Sequence, residues 1–147
     1  SGLHVDGWRE VNKVGDFEIR VVQGRQDLTE SGQASTQEKE QNKLFFINMG
    51  GYQTNKLEEQ HYVVLTVQAD RAKAVQEAKK STFFKSNSVK GANSHIDEKY
   101  GIDVDDVYKI EEILSKKLKE QFRIEIVRNN ELAEDEIHLG YFKLSKL

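Results

Sequence analysis

The sequence predicts an α+β fold: a mixed, largely antiparallel sheet with one main packing helix, built from a duplicated and partly truncated strand-strand-helix-strand unit. Three observations carry that expectation. Two runs alternate with period two, Phe17, Ile19 and Val21 against Asp16, Glu18 and Arg20, and Phe122, Ile124 and Ile126 against Arg123 and Glu125, which is the pattern of a half-buried strand. Two others, Leu44 to Met49 and Tyr62 to Val67, are apolar on both alternating faces and call for cover on both sides. One stretch, Asp70 to Lys80, sets Ala72, Val75 and Ala78 at helical spacing behind a capping aspartate and ends in two lysines that suit the negative end of the helix dipole.

At 147 residues the chain reads as a single domain, 1–147. A chain of this length buries roughly 69% of its unfolded surface, so a core forms without disulfides or structural metal. Within it, 3–22 reads as the tail of an upstream repeat. Ser1 and Gly2, with no initiator Met, read as a tag remnant or a processed end. Residues 24–42 hold Leu28 as their only large apolar side chain and cannot offset their ordering entropy, so they read as a flexible linker. Residues 43–127 form the second repeat: a strand at 44–49 closed by a Gly50-Gly51 turn, a strand at 61–67, the helix at 70–80, and an ordered loop or helix end through Ser81–Ser94. A short strand at 95–97, a turn at Gly101, a strand near 107–112, a helix at 114–121 and a strand at 122–127 complete it. An acidic bend then leads to a C-terminal extension, 128–147, with a last strand at 137–144 in which Gly140 marks a bulge.

Composition excludes several functions. Twenty-two basic against 25 acidic residues give a net charge of −3, so no basic field holds nucleic acid or an anionic membrane. The absence of cysteine removes thiolate catalysis and cysteine-based metal sites. No apolar run approaches the length of a membrane span and the N-terminus has no signal-peptide core, which makes the cytoplasm the expected compartment. Gly50-Gly51 belongs to no GxGxxG or GxxxxGK[ST], and no GxSxG elbow occurs. Asp103, Asp105 and Asp106 lack the glycine turn and distal glutamate of an EF-hand loop.

The chain echoes itself. His4-Val5-Asp6 and Trp8 precede Phe17 to Val22 in the order in which His95-Ile96-Asp97 and Tyr100 precede Phe122 to Val127. The strand ending in Gly50-Gly51-Tyr52, the step Glu58-Glu59-Gln60-His61, the alanine-bearing helix and His95-Ile96-Asp97 with Asp103-Val104-Asp105-Asp106 together resemble the bacterial domain of unknown function 1543 family. The resemblance covers about 43–127, with 3–22 as the tail of a preceding repeat. It implies a tandem-repeat fold and carries over no catalytic residues.

Two function classes follow. The first is a non-enzymatic interaction or small-ligand-binding module, with Trp8, Tyr52 and Tyr100, alongside Phe83 and Phe84, as candidate contact aromatics. It needs no cofactor. The second is a metal-assisted enzyme in which Glu58, His61, His95 and Asp97 hold a divalent ion, with His4 and Asp6 as a mirror of the last two. Imidazole and carboxylate are the right ligand types, but strand-end and turn roles account for the same residues. A strand parted from its repeat leaves an open edge, which predicts a homodimer by strand exchange or edge pairing.

Overall fold

The computed structural model describes residues 3–24, 42–52, 57–81 and 102–146. Among the described residues eight strands and three helices follow in order: β1 (His4–Trp8), β2 (Lys13–Val14), β3 (Phe17–Gln23), β4 (Lys43–Tyr52), β5 (Glu59–Gln68), α1 (Arg71–Ala78), β6 (Ile102–Lys109), α2 (Ile110–Ile113), α3 (Lys116–Gln121), β7 (Phe122–Arg128) and β8 (His138–Lys143), with a closing 3-10 turn at Leu144–Lys146. Three sheets result, ordered β5-β4-β6, β2-β3-β7 and β1-β8, and every pairing among the described residues is antiparallel. The α+β expectation stands.

Strand β4 is the centre of the molecule. It pairs with β5 from Lys43↔Gln68 to Tyr52↔Glu59 and with β6 from Phe45↔Lys109 to Gly51↔Ile102. Phe45, Ile47 and Met49 on one face pack against Ala74 and Ala78 of α1, whose small side chains let the helix lie close. Leu44 and its partner Val67 on the other face join Val14 and Ile19 of the second sheet, with Phe17, Leu65, Ile110, Ile124 and Ile126 around them. Burying each such aliphatic side chain contributes roughly 1.5–3 kcal/mol, so the layer order α1, central sheet, second sheet follows from the two-faced apolarity of β4.

Helix α1 begins as the sequence predicts. The Asp70 carboxylate accepts the Lys73 N–H at 2.8 Å. Arg71 donates to the Val107 carbonyl at 2.6 Å and reaches Glu112 at 3.2 Å, tying the helix to β6.

Strand β3 pairs with β7 from Phe17↔Arg128 to Gln23↔Phe122. The two strands of the sequence echo therefore lie side by side, and the N-terminal segment is docked on the body of the chain as expected.

Several expectations are corrected. Gly50-Gly51 is not a turn: β4 runs through both to Tyr52, and the bare Gly50 sits beneath the Asp105 and Glu59 carboxylates, where a Cβ would come within 2.7 Å of each. Strand β5 is not in the middle of its sheet: among the described residues it is an edge, covered on both faces toward its end, where Val64 joins the α1 cluster and Leu65 and Val67 the second, with Tyr62 47% and Val63 46% exposed before that. The strand placed near 107–112 is β6 at 102–109, after which the chain turns into α2. Glu111 and Glu112 favour a helix start, and the turn brings Ile110 into the second core cluster. The helix placed at 114–121 starts late, because Leu114 is extended and Ser115 caps α3 by accepting the Leu118 N–H at 3.3 Å. Strands β1 and β2 went unforeseen. The expected strand at 95–97, the turn at Gly101 and most of the linker lie outside the described residues.

The bulge at Gly140 is present. Val5↔Phe142 gives way to Gly7↔Leu139, so Gly140 and Tyr141 together oppose Asp6, and Gly140 holds φ at 148°, a conformation that favours glycine.

Candidate functional site

A concavity among the described residues follows the edge of β5. It measures about 620 Å³, its floor is the consecutive run Tyr62–Gln68, one wall is the β2–β3 turn with Val14 and Phe17, and the other is the C-terminal end of α1 with Glu77 and Lys80. The site arises because β5, long and apolar, is terminal in its sheet among the described residues, while α1 and the β2–β3 hairpin flank it on either side and both contribute to its lining. Glu77 and Lys80 pair at 2.7 Å on one rim, and Arg9 and Asp16 stand on the other. Charges of both signs occupy the rims, and the floor mixes Val63, Val64, Leu65 and Val67 with the polar Tyr62, Thr66 and Gln68.

A polar cluster lies at the far end of the same strand. His61 is opposite Gly50 in the ladder, with its Nε2 3.7 Å from Glu59 and its Nδ1 3.4 Å from Asp105. Glu59 and His61 share a face because they are two apart on an extended strand. Asp105 joins them through the β-bulge that shifts β6 against Asn48 and Met49. Nearby, Tyr108 donates its hydroxyl to Asp106 at 3.1 Å, which holds the phenol above its usual range through that bond and the adjacent negative charge. Of the predicted metal set, the structure gives His61 carboxylate neighbours, but they are Glu59 and Asp105. Glu58 precedes β5 and is exposed. His95 and Asp97 lie outside the described residues. Among the described residues no group of three or more His, Asp or Glu side chains is arranged to hold a metal ion.

The predicted aromatics divide. Trp8 stacks on His138 with ring centroids 4.1 Å apart and meets Phe142 edge-on at 6.4 Å. Tyr52 ends β4, and Tyr100, with Phe83 and Phe84, lies outside the described residues. The proposed mirror pair is in contact: His4 Nε2 is 3.1 Å from Asp6, and the imidazole stacks on Tyr141 at 4.2 Å. Both histidines of the β1–β8 ribbon are thus laid against rings across the ladder.

A second anchor ties the ribbon's neighbourhood to the body. Asp135 accepts the backbone N–H of Asn12 and of Lys13 at 3.0 Å each, while Lys13 pairs with Glu134 at 2.6 Å. Burial pushes the Asp135 carboxyl up, but the two amides and the nearby Arg9 outweigh it and hold the group below its ordinary value. Glu18 is also lowered, by the Arg20 guanidinium that binds both its oxygens and by Asn129.

Sequence reasoning missed the β5 groove because edge position is a property of strand order. The available signal was the run Tyr62 to Val67, which the sequence could assign to a strand but not to the margin of a sheet. No known protein family, no curated protein and no solved structure matches the chain.

Proposed function

We propose that this chain is a non-enzymatic interaction module that takes its ligand into the groove along β5. The observation that carries the reading is the combination, at one place, of a strand edge that no other strand among the described residues pairs with and two flanking walls. Concave sites lined by apolar groups with a few polar ones are where binding concentrates. The charged groups of this one stand on its rims, with Glu77 and Lys80 bound to each other, instead of converging on a point where a reacting atom would sit.

Membership of the domain of unknown function 1543 family, a bacterial and cytoplasmic setting, and descent from a duplicated unit belong to the same proposal. The last is supported by the adjacency of β3 and β7. A homodimer, expected from the sequence at the edge of the 16–22 strand, would instead use an edge such as that of β5, since β3 pairs with both β2 and β7.

Backbone amide correlation spectra of the isotope-labelled full chain, recorded with peptide and metabolite mixtures, test the reading. Shifts concentrated at 62–68 and 14–17 are expected. Shifts confined to the β1–β8 ribbon, or to the His61 cluster, would place the binding surface elsewhere and overturn it.

A further inference from the structure

We infer that the occupant of the groove is a single extended peptide strand, added to the outer edge of β5 by main-chain hydrogen bonds, whose residues alternate apolar and polar; this rests on the groove being the binding surface. The hydrogen-bonding direction of β5 can be read from the opposite side of its sheet. In an antiparallel ladder successive residues direct their N–H and C=O alternately toward one neighbouring strand and toward the other side. The Val107 carbonyl, on β6, accepts the Arg71 guanidinium at 2.6 Å and so is directed outward. Its partner Ile47 therefore directs its groups toward β5, where it meets Val64. Val64 is turned inward, and Val63, Leu65 and Val67 carry the N–H and C=O groups of the outer edge. Arg71 also occupies part of the β6 edge, so the two margins of the central sheet are treated differently.

Three features select the occupant. The first is length: the seven residues Tyr62–Gln68 on the groove floor span about 23 Å at about 3.3 Å per residue, room for a peptide of about six or seven residues. The second is the pair of walls. An isologous dimer would bring a second β2–β3 turn and a second α1 end to the same edge, wall against wall, whereas one strand about 4.8 Å away occupies only the space between them. The third is chemical asymmetry. Side chains on one face of an added strand would lie beside Leu65 and Val67 against Val14 and Phe17, and those on the other face would lie toward Glu77 and Lys80. Main-chain bonds would supply affinity and the two faces would supply specificity, the division found when a peptide extends a sheet. Because both rims carry both signs of charge, net charge of the peptide is not the selecting property.

The test uses the isotope-labelled full chain and two probes: a pool of octapeptides alternating valine, isoleucine or leucine with threonine, lysine or glutamate, and the same pool N-methylated at every second amide on each register. With the first pool, amide exchange at Val63, Leu65 and Val67 should slow at least tenfold, with Val64 unchanged and no such effect from the methylated pool. Equal binding of the methylated pool in the groove would overturn strand addition and leave the interaction module standing. No groove shifts with either pool would overturn the peptide as occupant. Protection without peptide that rises with protein concentration, with a doubled sedimenting mass, would show a second copy there instead. Protection without peptide that is independent of concentration would mean the chain covers its own edge, and both this inference and the groove reading would fall.

Discussion

Replacing Ile47 with alanine is the sharpest test of the reading that β4 organises the whole chain. Ile47 is 0% exposed and lies between Val64 on β5 and Val107 on β6, beneath Ala74 and Ala78 of α1. Removing three carbons forfeits about 2.4 kcal/mol of transfer free energy at about 0.8 kcal/mol per methylene. Because β4 is paired on both sides along its length, it cannot move to close the gap. A residual cavity of about 50 Å³ at about 24 cal/mol per Å³ adds about 1.2 kcal/mol, for a total near 3.6 kcal/mol, within the range of such truncations. In urea, with a slope of about 2 kcal/mol per molar, the unfolding midpoint followed by circular dichroism should fall by about 1.8 M. Ile47→Val should cost about 1 kcal/mol. Val21→Ala, at a position 70% exposed on β3, should shift the midpoint by under about 0.3 M, in keeping with surface changes of about 0.5 kcal/mol or less. A shift below about 0.5 M for Ile47→Ala, or one no larger than that of Val21→Ala, would refute the placement of the core on β4.

Gly50→Ala puts a methyl 2.7 Å from both the Asp105 and the Glu59 oxygens and should cost about 1 kcal/mol by overpacking; Asp105→Ala in the same chain should recover part of that loss in a double-mutant cycle. Since the folded state holds the Asp135 carboxyl below its ordinary value of 3.8, its contribution to stability is full above that value and is lost as pH falls through the lower, folded one. Asp135→Asn should therefore flatten the acid limb of a stability-against-pH curve, and an unchanged limb would exclude the two amide bonds as its source. Gly140→Ala forces a side chain onto φ 148°, at a cost of about 1–3 kcal/mol. Trp8, the sole tryptophan, reports the β1–β8 ribbon through its stack on His138, so its fluorescence should change at lower urea than the circular dichroism signal in that variant.

The polar cluster shows how far short motifs carry. The sequence marked His61 and Glu58 because their types suit metal or proton chemistry, yet one residue of register decides which carboxylate His61 meets. Glu59 shares its face and Glu58 precedes the strand, and Asp105 arrives only because a bulge shifts β6 by one position. Trp8 was marked as a contact residue, and its ring is half occupied by His138 from the other end of the chain. The His61–Asp105 and Trp8–His138 contacts leave no trace in local pattern, since each joins residues more than forty apart.

What the sequence by itself determined is what depends on near neighbours: the period-two runs that become β3 and β7, the two-faced apolarity that puts β4 in the interior, and the aspartate cap of α1, whose buried face is Ala74 and Ala78 and not the expected Ala72, Val75 and Ala78, Ala72 being exposed. Backbone dihedral preference and the alternation of side chains act over a few residues, so these are legible in one line of text. Tertiary structure alone decided which strand stands at the margin. Tyr62 to Val67 reads as apolar as Leu44 to Met49, and strand order among the described residues makes one an edge and the other a buried centre. Hydrogen bonding between distant segments is blind to local composition, and the groove exists because of that order.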